Sequence, residues 1–457
     1  MGRSEDHHAP YATPHAPTMV KRFLINILAS AAHRVVEREK PTVVAITGSF
    51  GKSSAKEAIA AVLGAHEPGS RVRYSTKNYN NEFGLPFTIF GVSAPGHDPI
   101  KWLRVLGGAF WLGWGWGKMN ADVLVLEMGS DRPGDLAWLT KIVRPNVAVI
   151  TSVGMSHAEH FGSIDAIANE KATLVRALAE NGIAILNNDD SRVTAMRKEF
   201  SGEAVYFGFS EGSDIRIQHA DIVTAEDEFG HNIPQGIGVT IEEQGKAHDF
   251  LISGTIGRPH ALAVSAAIAV GKAFDIPIQT AIERLERDYR GMPGRTRIIQ
   301  GIKHTIIIDD SYNASSPKTI LSVLYDIERI PLADGQRRIA AIGEMRELGQ
   351  YSESAHREVG AKVAHANIDI LVCCGTLAPV IAEAAIANGM DASRVHTFAN
   401  SLEAGRFLQN EIKSGDLILV KGSQGSRMEK VVKELMAEPL QAPFLLVRMS
   451  DEWQKIK

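Results

Sequence analysis

From residue 43 onward, apolar runs of four to eight residues alternate with segments in which apolar positions recur every three or four residues. The first pattern marks strands buried on both faces and the second marks helices with one apolar stripe. Their alternation is that of parallel strands joined by crossover helices, and it predicts an α/β fold with mostly parallel sheets. The expected strands are 43–47, 122–128, 147–151, 183–187, 305–308, 339–342, 368–373 and 417–420. Several end in Gly, Asp, Glu or Asn, at the edge where open parallel sheets hold their ligands. Between 203 and 252 the pattern shortens into alternating segments, which predicts a β-rich edge or subdomain. Residues 19–38 read as one amphipathic helix, with Phe23, Leu24, Ile27, Leu28, Ala31 and Val35 at helical spacing.

Glycine and proline punctuate one further place, YRGMPGRTR at 289–297, which reads as a hinge. The expected division is therefore a disordered tail (1–18), an N-terminal helix (19–40), a central α/β domain (41–296) and a C-terminal Rossmann-like α/β domain (297–457). A chain of 457 residues, 44% hydrophobic, has room for such cores. The formal net charge of −4, with both signs spread along the chain, leaves no basic footprint and excludes nucleic acid as an expected partner. The only cysteines, Cys373 and Cys374, are adjacent in an apolar run. Neighbours in a strand point to opposite faces, so they read as two buried thiols of a reducing compartment. The His-, Pro- and Ala-rich tail lacks the order of a secretory signal, and no segment reaches the roughly 20 apolar residues needed to cross a bilayer. A cytoplasmic location follows as the expectation.

One segment fits this plan poorly. Four of the six tryptophans, Trp102, Trp111, Trp114 and Trp116, fall within 102–116, flanked by Lys101, Arg104 and Lys118. Aromatic and cationic residues around a short apolar helix can anchor it at a membrane surface. Five glycines between Trp102 and Lys118 weaken a free-standing helix, so burial against the N-terminal helix or a protein contact is the preferred account.

Chemistry first shows after the strand 43–47. Thr47-Gly48-Ser49-Phe50-Gly51-Lys52-Ser53-Ser54 is followed by a helical pattern from 55 to 63. Glycines let the backbone wrap phosphate oxygens, a helix N-terminus offers free N–H groups, Lys52 supplies a point charge, and the Ser53 hydroxyl can ligate magnesium. Ile46 stands where a full P-loop would have its first glycine. A Gly-Lys-Ser triplet also occurs in ordinary strand-to-helix turns, but the strand-loop-helix context favours nucleotide binding.

The string TGSFGKS at 47–53 resembles the phosphate loop of the Mur ligases, which lack that same glycine. KNYNNEFGLP (77–86), VLEMG (125–129), SHAEHFGS (156–163), NEK (169–171), DDSYNA (309–314), GEMRELG (343–349) and VKGS (420–423) follow in the family's order. The DDSYNA and GEMRELG strings look most like the member that adds D-alanyl-D-alanine. The resemblance covers about 43–430. It implies an ATP-dependent ligase that phosphorylates a carboxylate of a nucleotide-linked peptide and lets the amine of D-alanyl-D-alanine attack the acyl phosphate.

It also implies site residues. Lys52 and the loop would hold the β- and γ-phosphates of ATP; Ser53 and Glu127 would ligate a first magnesium ion, and His157 would approach a second. Lys171 corresponds to the lysine that carries a carbamate in much of the family. Arg295 would reach the γ-phosphate across the domain boundary, Asp310 would hold the ribose, and Tyr312 and Asn313 would lie near them. Asn80, Asn81, Glu82 and the Lys421-Gly422-Ser423 turn would meet the substrates. The chain departs from the family in two respects. Only about forty residues precede the loop, so a uridine-binding domain of normal size is not expected here. In GRPHALAV (257–264), His260 is kept while Ala261 and Val264 replace two asparagines. Two other readings stay open: a Mur-type ligase for another carboxylate, and a non-catalytic ATP-binding partner of a wall enzyme. A monomer is the expected state.

Overall fold

A computed structural model describes residues 19–75, 79–96, 98–154, 158–314, 316–346, 348–450 and 453. The expected tail at 1–18 lies outside them. The described chain forms two compact units that interleave in sequence. One takes in the residues up to Lys52 with Glu67–Leu186 and Asp190–Ala204, and the other Ser53–His66, Asn187–Asp189 and the chain from Val205 on.

In chain order, the elements associated with the first unit are α1 (Met19–Glu39), β1 (Thr42–Thr47), α2 (Lys52–Val62, of which only Lys52 lies here), β2 (Val72–Tyr74), α3 (Gly84–Phe90), α4 (Pro99–Gly113) and β3 (Val123–Glu127). They continue with α5 (Asp135–Ile142), β4 (Val147–Ile150), α6 (Ala158–Phe161), α7 (Ile164–Arg176), β5 (Ile183–Asn187) and α8 (Ser191–Ala195). Its strands lie in the order β2-β3-β1-β4-β5. All these pairings are parallel. Residues such as Val44, Ala45, Leu124, Val149 and Ile185 are fully buried, as a sheet covered on both faces requires. Local sequence sets the helix starts. Asp98 accepts from Ile100 and Lys101 N–H with Pro99 at the first position of α4, and Ser163 Oγ accepts from Ala166 N–H at the start of α7.

The second unit holds β6 (Glu203–Gly208, in this unit from Val205 on), β7 (Ile215–Glu226), β8 (Asn232–Glu243) and β9 (Lys246–Ser253), the last three an antiparallel meander. This is the β-rich stretch expected at 203–252. After α9 (Arg258–Ala273) and α10 (Ile278–Asp288) come β10 (Arg297–Gln300), β11 (Ile306–Asp310), α11 (Pro317–Glu328), β12 (Arg338–Gly343), α12 (Ser352–Ala364) and β13 (Ile370–Cys374). The chain ends with α13 (Ala378–Ala387), β14 (Val395–Phe398), α14 (Ser401–Glu411), β15 (Leu417–Lys421), α15 (Glu429–Leu435) and α16 (Ala442–Leu445). A six-stranded sheet runs β10-β11-β15-β12-β13-β14, parallel except for β10. Cys373 and Cys374 are buried in the cores on its two opposite faces.

Helix α4 is buried against α1, as expected, on one face only. It buries Val105, Ala109 and Gly113, four residues apart, and Gly113 crosses α1 so closely that a Cβ there would lie 3.0 Å from that of Ala31. That stripe makes the close helix-to-helix contact with α1. Trp111, Trp114 and Trp116 fall on the other side and are exposed by 54%, 47% and 60%.

Candidate active site

Strand β1 ends at Thr47, and the chain then turns through Gly48 and Gly51, both at positive φ (155° and 83°), before Lys52 opens α2. A Cβ at Gly48 would sit 1.9 Å from Thr151 Oγ1, so the turn admits no side chain there. The loop is pinned to the chain after β4. Phe50 N–H donates to Ser152 Oγ (2.9 Å), Thr151 Oγ1 donates to the Phe50 carbonyl (2.5 Å), and Ser49 Oγ donates to the Gly154 carbonyl (3.0 Å). Lys52 Nζ folds back on the Gly48 carbonyl at 2.7 Å. The Phe50 ring is half exposed. Ser53 and Ser54, the next residues of α2, are buried.

Register brings a carboxylate to this loop. Ile46 of β1 pairs with Glu127 of β3, so Glu127 ends its strand beside the start of the turn, only 3% exposed. Asn80 Nδ2 lies 3.4 Å from Glu127 Oε1, and the Asn80 carbonyl accepts from Gly129 N–H at 2.7 Å. Thr47 Oγ1 is buried with no hydrogen-bond partner among the described residues. A buried carboxylate and an orphaned hydroxyl at the carboxyl edge of a parallel sheet fit a hard divalent cation such as magnesium. Asn80 therefore joins the loop. Asn81 instead holds the turn into α3, its Oδ1 accepting from Gly84 N–H (3.0 Å), and partly buried Glu82 lies 3.9 Å from Lys21. His157 lies outside the described residues.

Lys171 on α7 is 3% exposed. Burial pushes its amine down to about 7, the charge of Lys52 adds to that, and Glu170 and Asp131 oppose it. An amine near neutrality is the form that can attack carbon dioxide. Its neighbour Glu170 holds the turn before α5, accepting from Gly134 and Leu136 N–H at 2.8 Å each.

In the second unit Asp310 and Lys421 stand opposite each other in the β11–β15 register. Their side chains meet at 2.6 Å, and Lys421 Nζ also donates to the Asn313 carbonyl at 3.0 Å. Burial raises the Asp310 carboxyl while Lys421 pulls it down. The Arg295 guanidinium lies 4.4 Å from the centre of the Tyr312 ring. Asp310, Asn313, Arg295 and Lys421 thus gather at one edge of the six-stranded sheet, as do Gly422 and Ser423, whose N–H donates to the Glu344 carbonyl at 3.1 Å.

His260 holds this edge rather than facing a ligand. It is buried, with Nδ1 2.7 Å from Tyr289 Oη and Nε2 3.0 Å from the Arg295 carbonyl and 3.1 Å from Thr296 Oγ1. Burial pushes the imidazole down to about 4, so it is neutral at pH 7. Ala261 and Val264, where the asparagines would be, are fully buried. Two buried groups here escaped the sequence reading. Asp309 accepts from Gly294 and Ser311 N–H, both at 3.1 Å, and burial pushes its carboxyl up to about 6. Tyr289 bonds to His260. A doubled Asp before DDSYNA's turn was the only signal for the first, and a Tyr at the hinge the only signal for the second. A separate cavity of about 320 Å³, lined among others by Phe209, His219, Arg258, Tyr325, Asp326 and Arg329, contains none of the candidate residues.

A phosphate loop at the carboxyl end of a parallel strand, with a buried acid in register beside it, defines a nucleotide-binding α/β protein built for phosphoryl transfer. The chain matches the Mur ligase middle domain over residues 115–271 and the Mur ligase glutamate ligase domain over 294–424. It belongs to the Mur ligase family, as the motif order implied. Among its relatives is the UDP-N-acetylmuramoyl-tripeptide--D-alanyl-D-alanine ligase of Bacillus subtilis, 29% identical over 401 residues, spanning 87% of this chain and 76% of the relative. The ligase of the same name from Haemophilus influenzae is 28% identical and spans 92% and 82%. A crystal structure of MurF from Thermotoga maritima in complex with ADP superposes with a TM-score of 0.69 at 26% identity, covering 90% of this chain and 83% of that one. MurF from Acinetobacter baumannii, at 24% identity, shares the fold with a TM-score of 0.71 over 90% and 79%.

Proposed function

We propose that this chain is the Mur ligase that joins D-alanyl-D-alanine to UDP-N-acetylmuramoyl-tripeptide, an ATP-dependent, ADP-forming step of peptidoglycan synthesis on which cell shape and division depend. The γ-phosphoryl group of ATP passes to the terminal carboxylate of the tripeptide and ADP leaves. The amine of the dipeptide attacks the acyl carbon, the C–N bond forms, the C–O bond to phosphate breaks, and the ammonium proton is released. Little covalent chemistry falls to the protein in such a transfer; it positions groups and neutralises charge.

In this reading Lys52 and the backbone of Gly48, Ser49, Phe50 and Gly51, with Thr47, Ser53 and Ser54, cradle the phosphates. Ser53, Glu127, His157 and Lys171 as its carbamate would hold magnesium, which would supply charge neutralisation at the transferring phosphoryl group. Arg295 reaches the γ-phosphate, and Asp310 with Asn313 takes the nucleoside. Asn80, Asn81, Glu82, Lys421, Gly422 and Ser423 receive the peptide substrates. The central and C-terminal domains divide near 296, and the enzyme works as a monomer in the cytoplasm. Among the described residues no helix is long and apolar enough to cross a membrane.

The observation that carries this reading is the register that sets buried Glu127 beside the phosphate loop, in a chain similar to D-alanyl-D-alanine-adding ligases over most of its length. Mass spectrometry of a reaction holding ATP, magnesium, the UDP-tripeptide and D-alanyl-D-alanine tests it: the pentapeptide product is expected. ATP binding by folded protein without that product, and with another amino acid or carboxylate accepted instead, would move the assignment to a different Mur-type ligase.

A further inference from the structure

Helix α4 has two apolar stripes. Val105, Ala109 and Gly113 pack on α1, while Ile100, Leu103, Phe110, Trp111 and Trp114 follow a second helical course that faces solvent. Leu103 is 73% exposed and Trp116, just past the helix, 60%. The aromatic rings are held together: Phe110 stacks on Trp114 at 4.1 Å, Trp116 meets Trp111 at 5.5 Å and Phe110 at 5.6 Å, and the Arg34 guanidinium sits 4.6 Å from the centre of the Trp114 ring. The base of the helix is fastened to α1, with Arg38 donating to the Leu112 and Gly117 carbonyls and Glu39 accepting from Met119 N–H. The opening turn of α1 adds exposed Met19, Val20 and Phe23. Its Lys21 lies 5.7 Å from the Phe83 ring centre, and Phe83 meets Trp102 at 5.9 Å.

Charge selects the occupant. Residues 99–118 contain Lys101, Arg104 and Lys118 and no acid, in a chain whose net charge is −4. Asp98, at the cap, lies 3.9 Å from Lys101. Protein interfaces deplete lysine at their centres, whereas helices that lie in a bilayer's headgroup zone combine Trp, Phe and Leu with Lys and Arg. Anionic headgroups attract such cations, and salt screens that attraction.

We propose that the exposed face of α4, with the first turn of α1, docks this protein onto the surface of an anionic lipid bilayer. The helix lies in the interface plane, its tryptophans at headgroup level and Lys101, Arg104 and Lys118 among the phosphates. The docking is reversible and salt-sensitive, and it is independent of which carboxylate the ligase uses.

Flotation of the full chain with vesicles of phosphatidylcholine, and with vesicles of equal parts phosphatidylcholine and phosphatidylglycerol, tests this. The wild-type protein should float with the mixed vesicles, at least tenfold less with phosphatidylcholine alone, and release as salt rises. Tryptophan emission should shift to the blue and be quenched by brominated acyl chains. The Trp111→Ser, Trp114→Ser, Trp116→Ser triple variant should lose at least tenfold in vesicle binding while keeping its melting temperature and its ADP release with soluble substrates; Lys101→Glu, Arg104→Glu should lose the preference for phosphatidylglycerol. The brominated-lipid measurement needs no variant and decides the matter should the triple variant fold poorly. No flotation with either vesicle overturns the proposal. So does sedimentation showing a dimer that the triple variant dissolves, which would put a second copy of the chain on this face.

Discussion

The phosphate-loop end of the first unit buries charge: Lys171 is 3% exposed and Glu127 also 3%. Helix α4 of the same unit does the opposite, leaving three tryptophans about half exposed. Buried ionisable groups and exposed apolar patches each run against the usual partition of side chains, and both are informative for that reason. In the function proposed, the buried charges serve a nucleotide and its metal. In the docking proposed, the exposed rings serve a lipid surface. Both are prepared in advance by neighbours, the loop by Ser152 and Thr151 and the helix by Arg38 and Glu39, so neither waits for its partner to take shape.

The largest effect is expected at Lys52. Lys52→Ala should lower ADP release by roughly a thousandfold, about 4 kcal/mol of transition-state stabilisation, with little change in melting temperature. An equal loss of stability would make Lys52 a structural residue. Next comes the second unit's own buried pair: Lys421→Met leaves Asp310 without its 2.6 Å partner and should cost about 3 kcal/mol in denaturant unfolding. The double variant with Asp310→Leu should recover part of that, and a cost without recovery would place the effect in packing.

Lys171 gives a smaller, pH-dependent effect. Its folded amine titrates near 7 against an ordinary value of about 10.5, so between those values the unfolded chain binds more protons and stability rises with pH. The melting temperature of the wild type relative to Lys171→Met should therefore climb by a few degrees from pH 7 to 10. A flat difference would mean the amine is already modified or paired, and intact mass in bicarbonate, heavier by one carbon dioxide, would separate the two.

His260 should show the smallest change. Its folded imidazole titrates near 4 and its unfolded one near 6.5, so its contribution is present above pH 6.5 and is lost as the pH falls toward 4. His260→Phe should flatten that acid limb and cost about 1 kcal/mol at pH 7 by removing the bonds of the ring to Tyr289 Oη and the Arg295 carbonyl. An unchanged acid limb would assign it to the carboxylates.

Much of this was legible in the chain. Runs such as Ile306-Ile307-Ile308 and Leu417-Ile418-Leu419-Val420 are too apolar for anything but strands buried on both faces, and each fell within a residue or two of its place. The edge strands β2, β10 and β14 did not announce themselves, being three or four residues long with mixed polarity. The phosphate loop could be read because its chemistry is local. Periodicity could not say that Lys171 faces inward, since a single lysine on a helix carries no sign of its side. Nor could it tell which stripe of α4 meets α1, because both are apolar and only the close approach at Gly113 decides. His260 was visible as a residue, but its partners Tyr289, Arg295 and Thr296 lie about thirty residues away and meet it only in the fold.

In the proposed function this loop spends ATP to join a dipeptide to a nucleotide-linked peptide. ADP and phosphate release should be measured with magnesium, ATP and UDP-N-acetylmuramoyl-tripeptide, in the presence and absence of D-alanyl-D-alanine. Sustained release that requires both substrates, one ADP for each amide formed, is the predicted result; ATP binding with no release under any of these conditions would contradict it.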